Sequence, residues 1–242
     1  MAGAAVVWRG ANVVGVIEET ARARTIVLEV PGWPGHSAGQ HVDLRLTAED
    51  GYQTQRSYSI ASAPEDARLA LTVERIDDGE VSAYLTGELD VGDELELRGP
   101  IGGYFTWRIR DGGPLLLIAR GSGLVPLMAM LRHRAANAST VDARLLVSSR
   151  SRADVFYRDE LATLAAGAGL TVHHTFTPSP GCRPARPVDA QTLRTVGPGR
   201  TRRPRIFVSG PTGFVGRAAD LLVGLGHEPT TIRVEDFGPT GA

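Results

Sequence analysis

The strongest constraint in this sequence is a change of rhythm near its middle. Up to residue 98 the apolar residues fall in short, β-branched or alternating runs at 13–19, 25–30, 42–47, 55–60, 69–76 and 94–98, separated by Gly, Pro and Asp turns. In Leu69-Ala-Leu-Thr-Val-Glu-Arg-Ile76 the period is two, which puts Leu69, Leu71 and Val73 on one face. Six strands at this spacing predict a small antiparallel β-barrel, interrupted by one short helix at 82–88. From Leu115 onward strands at 115–119, 144–148, 170–176, 205–209 and 231–234 alternate with helices at 125–136, 158–166, 188–195 and 212–225. That alternation predicts a parallel sheet with helices on both faces. Gly99-Pro100, Gly102-Gly103 and Gly112-Gly113-Pro114 cluster where the rhythm changes, dividing the chain into domains at 1–105 and 106–242.

Composition narrows the chemistry. One cysteine, Cys182, makes no internal disulfide, iron–sulfur cluster or thiolate zinc site. None of the six histidines stands four residues from another with a glutamate between them, and His173-His174 in a strand point to opposite faces, so no metal is expected. The longest uninterrupted apolar run, 115–119, is far shorter than the ~18 residues of a spanning helix. The first eleven residues lack the pattern of a leader, and a soluble cytoplasmic protein is expected. The net charge of −1 hides a split: residues 1–110 hold 17 acids and 10 arginines, residues 111–242 hold 10 acids and 16 arginines, and lysine is absent. A basic second half suits a phosphate-bearing ligand, since guanidinium matches phosphate oxygens in a fork. Nucleic acid is disfavoured, because no interleaved aromatic and basic platform is present.

Four segments carry candidate chemistry. Arg56-Ser-Tyr-Ser59 ends a strand pattern with an arginine for phosphate, a ring for stacking and hydroxyls for a ring heteroatom, although an ordinary edge strand reads the same way. Gly79-Glu-Val-Ser82 opens the short helix, either as an anion site or with Ser82 as a plain N-cap. Gly121-Ser-Gly-Leu-Val-Pro126 is a glycine turn between strand and helix, with Pro126 suited to a first helical turn. It is neither the usual dinucleotide fingerprint nor a P-loop. Ser209-Gly-Pro-Thr212 repeats the arrangement at a later strand end, and ligands of open parallel sheets bind outside those ends.

In this order and spacing, the segments resemble the ferredoxin–NADP⁺ reductase family of flavoproteins over about residues 10–241. The resemblance implies FAD in the barrel and NADP(H), with NAD(H) as the alternative, in the second domain. Arg56 then meets flavin phosphate, Tyr58 packs on the flavin, Ser59 approaches N5, and Ser82 takes the flavin pyrophosphate. Gly99-Pro-Ile-Gly-Gly-Tyr104 is similar to the hinge of the family. Gly121, Gly123 and Pro126 match the turn beneath the nicotinamide pyrophosphate. Ser209, Gly210 and Pro211 match its Cys-Gly-Pro, and Glu235-Asp-Phe237 its Glu-x-aromatic ending. Three departures stand out: Ser209 replaces the usual cysteine, the chain continues past Phe237 to Ala242, and Pro178 follows Thr177 where NADP-specific relatives carry arginine.

Cofactor choice turns on charge. Ser148-Ser-Arg-Ser-Arg152 offers Ser149 and Arg150 with no acid before Asp154, and Arg186 (or Arg183) is the second candidate for a 2′-phosphate. These features favour NADPH. Arg194, Arg200, Arg202, Arg203 and Arg205 are read as a solvated loop. The implied function is hydride transfer from NADPH to flavin N5, with Ser59, Ser209, Glu235 and Phe237 around the reacting rings, then single electrons to a separate redox protein. With one cysteine there is no fused ferredoxin domain within these residues. The rivals are a free-flavin reductase, a non-catalytic electron-transfer subunit and a nucleotide-sensing module.

Overall fold

The structure, a computed structural model, describes residues 7–48, 50–177 and 188–238. Six strands form the first sheet: β1 (Trp8–Thr20), β2 (Ala23–Glu29), β3 (His41–Thr47), β4 (Gln53–Ser59), β5 (Leu69–Glu74) and β6 (Glu94–Ile101). All neighbours are antiparallel, in the order β4-β3-β6-β1-β2-β5. A single bridge between Ile60, just past β4, and Leu71 on β5 brings the two outer strands together and curls the sheet toward a barrel. The alternating apolar residues meet inside it: Val13, Ile26, Leu28, Val42, Leu44, Leu71, Val73 and Leu97 form one buried cluster. Helix α1 (Glu80–Gly87) adds Val81 and Leu85 to that core.

The second sheet is wholly parallel. Its strands β7 (Leu115–Arg120), β8 (Ala143–Ser149), β9 (Leu170–Phe176), β10 (Arg205–Pro211) and β11 (Ile232–Phe237) lie in the order β11-β10-β7-β8-β9. Helices α2 (Leu124–Ala136) and α3 (Arg158–Ala166) pack on the face that carries Leu117 and Leu145. Helices α4 (Ala190–Val196) and α5 (Thr212–Gly224) cover Leu116, Ile118, Leu146 and Val208 on the other. This is the doubly covered sheet that the strand–helix alternation predicts. In α2 every residue from Leu124 to Leu131 is buried, because the helix lies between the sheet and the barrel-side residues Ala38, Ala61 and Phe105. Burial on all sides explains an apolar run without a polar stripe.

Polar contacts fix the barrel to the sheet on one side. Arg132 grips Glu160 with two hydrogen bonds of 2.8 and 2.6 Å and donates a third, of 2.7 Å, to the Ala61 carbonyl. Its guanidinium lies 4.8 Å from the Tyr157 ring centre. Tyr157 is buried in a left-handed conformation (φ 54°) just ahead of α3. Its hydroxyl donates to Thr72, Thr72 pairs with Thr25 at 2.7 Å, and Thr25 donates to Glu19 at 2.7 Å. Glu19 closes the loop by accepting the Tyr157 amide at 2.9 Å. Each side-chain oxygen of this Tyr157–Thr72–Thr25–Glu19 relay has a partner, so the contact fixes orientation as well as proximity.

Candidate functional site

A cleft of about 570 Å³ opens between the barrel and the carboxyl edge of the parallel sheet, a size suited to an organic cofactor. Its walls include Arg56, Tyr58, Ser59, Ser82, Ser122 and Phe237. Five of the residues singled out in the sequence, Arg56, Tyr58, Ser59, Ser82 and Phe237, therefore meet in one place, and Ser122 joins them from the first glycine turn. On β4 the pleat sends Arg56 and Tyr58 to one face and exposes Ser57, while Ser59, the last residue of the strand, is only 7% exposed. Arg56 donates to the Gln55 carbonyl at 2.7 Å, and no carboxylate among the described residues pairs with it. Burial pushes the Tyr58 phenol above its ordinary range, so it stays neutral and serves as a flat apolar wall.

Ser82 lines the cleft but is not the N-cap that one sequence reading made it. Gly79 is the N-cap of α1 and makes no side-chain capping bond, while Ser82 lies inside the first turn. Its hydroxyl donates to the Gly79 carbonyl at 3.0 Å and receives the Ile76 amide at 3.1 Å. The hydroxyl shapes the 76–79 loop, and the helix start beside it carries no side-chain cap.

The two glycine turns meet at the centre of the parallel sheet. β7 and β10 are neighbours whose following helices, α2 and α5, lie on opposite faces, the switch point where such sheets bind ligands. Gly121 and Gly123 form a single 3₁₀ turn between β7 and α2, followed by buried Pro126 in the first turn of the helix. A side chain at Gly123 would come within 2.2 Å of the Ser209 carbonyl oxygen, so glycine is required for the close approach. Gly210 and Pro211 end β10, and α5 begins at Thr212 without a side-chain cap. The Ser122 amide at the first turn is taken by the Glu74 carboxylate at 3.2 Å.

Ser209 and Glu235 are register partners on β10 and β11. Ser209 is fully buried and its Oγ has no hydrogen-bond partner. Buried hydroxyls are rarely left unpaired, and among the described residues Thr175 Oγ1, on β9, shares this state. Glu235 accepts a long 3.5 Å hydrogen bond from Ser59 Oγ, which links the sheet to the barrel across the cleft. Burial pushes the Glu235 carboxyl up to about 7, opposed by the Ser59 hydrogen bond and assisted by Asp236. Phe237 ends β11 on the cleft wall.

The charge reading of the nucleotide half changes. Arg150, at the end of β8 beyond the nearly buried Ser149, is held by Asp154 at 2.8 Å, and Ser151 binds the same carboxylate at 2.6 Å. The short turn at Arg152–Asp154 folds that acid back onto the arginine, so it is not a free guanidinium. Arg186, Arg183 and Pro178 lie outside the described residues. Arg202, Arg203 and Arg205 are exposed, as expected of a solvated loop. Sequence reasoning missed a second cavity, of about 190 Å³, lined by Arg120, Ser148, Thr177, Phe214 and Arg217. The arginine immediately before Gly121, at a strand end, was the available signal.

Residues 19–106 match the family model of the oxidoreductase FAD-binding domain, and residues 117–220 that of the oxidoreductase NAD-binding domain. The chain belongs to the ferredoxin reductase-like flavoproteins. Within this family it is 31% identical over 235 residues to the glycine betaine monooxygenase reductase subunit of Pseudomonas aeruginosa, covering 94% of this chain and 63% of that protein. It is 38% identical over 127 residues to methane monooxygenase component C of Methylosinus trichosporium, covering 52% and 36%. The chain thus spans between about a third and two thirds of the length of these curated relatives. The FAD/NAD-binding domain of nitric oxide dioxygenase from Vibrio cholerae superposes with a TM-score of 0.82 at 25% identity, covering 96% of this chain and 99% of that one. A cytochrome P450 reductase from Amycolatopsis gives 0.83 at 26%, covering 98% and 71%. Among the described residues no helix is long and apolar enough to cross a membrane, and no cluster of metal-binding side chains occurs.

The site fits the cofactors of the family. The unpaired Arg56 and the open start of α1 offer cationic and amide groups for phosphates, and Tyr58 and Phe237 offer flat walls, while Ser209 and Glu235 lie behind the cleft wall and do not line it.

Proposed function

We propose that this protein is an NADPH-oxidising flavoprotein reductase that hands electrons one at a time to a separate redox protein. The observation that carries the proposal is the Ser59–Glu235 contact, which sets the end of the barrel's Arg56–Ser59 segment against the strand beside the two glycine turns. A flavin held by the barrel and a nicotinamide held by the sheet are thereby directed to the same point. Bound FAD supplies the one capability the side chains lack, accepting two electrons together and releasing them singly.

The chain's own residues orient and shield. Arg56 and the uncapped start of α1 would hold the flavin phosphates, and Tyr58 would support the ring system. Gly121 and Gly123 let the backbone approach the nicotinamide pyrophosphate, with Gly210 and Pro211 forming the opposite lip. Ser209 Oγ would hydrogen-bond the nicotinamide. Burial keeps a proton on the Glu235 carboxyl up to about pH 7, and Ser59 positions that group. Phe237 excludes water from the cleft until the nicotinamide replaces it. A separate acceptor is supported by the named relatives, which are reductase subunits or components of oxygenase systems.

The deciding experiment is purification, chemical identification of the bound flavin, and anaerobic titration with NADPH and then NADH. The reading requires a yellow protein that bleaches with NADPH and passes electrons to a one-electron acceptor. A protein that stays colourless after incubation with FAD or FMN refutes it.

A further inference from the structure

The contact between barrel and sheet carries an inference about how the two halves present their ligands to each other, and it rests on the reductase reading above. We propose that Tyr157 is a positioning residue for hydride transfer: gripped by Glu19 and Thr72 of the barrel, it sets how closely the nucleotide half approaches the flavin.

The grip is built from both sides. Tyr157 is the N-cap of α3, yet it makes no side-chain capping bond, and its left-handed backbone (φ 54°) is uncommon for an aromatic residue. The cap comes from the other half instead. Glu19 on β1 takes the Tyr157 amide at 2.9 Å, which lays a carboxylate at the positive end of α3. The hydroxyls then run one way. Thr25 donates to the second Glu19 oxygen at 2.7 Å, so Thr72 donates to Thr25 at 2.7 Å and accepts from Tyr157. Thr25, Thr72 and Tyr157 are only 3–4% exposed, so a break at any rung leaves a polar group with no water to replace its partner.

The relay also reaches both ligand sites. Thr72 lies on β5 and lines the cleft, whereas Tyr157 ends the segment that runs from the tip of β8 into α3. Two residues further along β5, and on the same side by the pleat, Glu74 meets the Ser122 amide of the first glycine turn. β5 is therefore both a wall of the cleft and the seat of the nucleotide half. Hydride passes from nicotinamide C4 to flavin N5 only within about 3–3.5 Å, and a misplacement of about 1 Å costs about a hundredfold in rate. Both electrons travel with the hydrogen, so the step needs no side-chain acid or base and geometry governs its rate. On that scale a slackening of about half an ångström costs about tenfold. The Gly121–Gly123 and Gly210–Pro211 turns belong to the sheet itself, so a slack relay changes the rate of transfer and not the affinity for the nucleotide.

The test uses the purified flavoprotein, the variants Tyr157→Phe, Thr25→Val and Thr25→Ser, and the double variant of the first two. In anaerobic stopped-flow at saturating NADPH, Tyr157→Phe and Thr25→Val should each slow flavin reduction about tenfold. The double variant should be no slower than either, because both changes cut one relay. Thr25→Ser keeps the hydroxyl and should react at the wild-type rate. Flavin content and the Kd for NADP⁺, titrated through the flavin absorbance, should stay within about twofold of wild type. A wild-type rate in Tyr157→Phe, additive losses in the double variant, a slow Thr25→Ser, or a slowing that follows lost flavin or weaker NADP⁺ binding would each overturn the proposal. If Tyr157→Phe does not fold, the comparison of Thr25→Val with Thr25→Ser decides the matter in its place. Failure of the reductase reading looks different: a wild type whose flavin is reduced by neither NADPH nor NADH.

Discussion

Glu235 makes stability depend on pH in a direction opposite to that of most carboxylates. Its folded value of about 7 stands against an ordinary 4.5. Between these values the unfolded chain releases the proton while the folded protein keeps it, so the folded state binds more protons and stability falls as pH rises. At ~1.36 kcal/mol per unit, the loss totals about 3 kcal/mol and is complete once the pH passes about 7. Glu235→Gln keeps a neutral group that still accepts from Ser59 and cannot titrate. In urea unfolding of the flavin-free protein, wild type and variant should differ little at pH 4.5. The variant should gain progressively, reaching an advantage of about 3 kcal/mol by pH 8. Tryptophan fluorescence reports the transition, since Trp107 is fully buried. Parallel pH dependences for the two proteins would refute the argument, because they would mean that burial does not hold the proton on this carboxyl.

Arg56→Ala removes the unpaired cation of the cleft and should give a largely flavin-free protein on purification, measured by the ratio of flavin to protein absorbance; full occupancy would count against the assignment. Gly123→Ala forces a methyl group to 2.2 Å from the Ser209 carbonyl and should cost about 1–3 kcal/mol in chemical denaturation, together with most NADPH-dependent activity. Glu74 holds a carboxylate against the Ser122 amide where the proposed pyrophosphate would lie, so Glu74→Gln should lower the KM for NADPH and NADH alike by severalfold in steady-state assays of the flavin-loaded protein. Arg150→Ala should raise the KM for NADPH more than that for NADH, since the half-exposed Asp154 pair competes only weakly for its guanidinium; equal changes would remove the 2′-phosphate role.

The fold was legible because period and burial coincide in most elements. The alternation at Leu69, Leu71 and Val73 is the inward face of β5, and the apolar runs of β7, β8 and β10 are central strands covered on both sides. The ends of elements were less clear. β1 begins at Trp8 because its first residues pair with β6, and there Arg45 and Arg98 lie over the Trp8 ring, an arrangement no local pattern announces. β11 runs on past Val234 to Phe237 through Glu235 and Asp236, two charged residues that carry no apolar signal. At the site, motifs made of neighbouring residues were readable. The partners that modify them were not, because Glu74 reaches Ser122, Asp154 folds back on Arg150, and Arg120 meets Arg217 only through the sheet topology.

The tyrosine–threonine–glutamate chain and the Arg132 grip leave little room for the barrel and the sheet to swing apart as rigid blocks. Movement at the nicotinamide position is then left to β11, which lies at the margin of its sheet and is bonded along one side only. The last rung of its ladder pairs Phe237 with Pro211, and proline brings no N–H to that rung. The strand can therefore fray from its tip, lifting one aromatic ring while Glu235, two rungs further in, stays stitched beside Ser209.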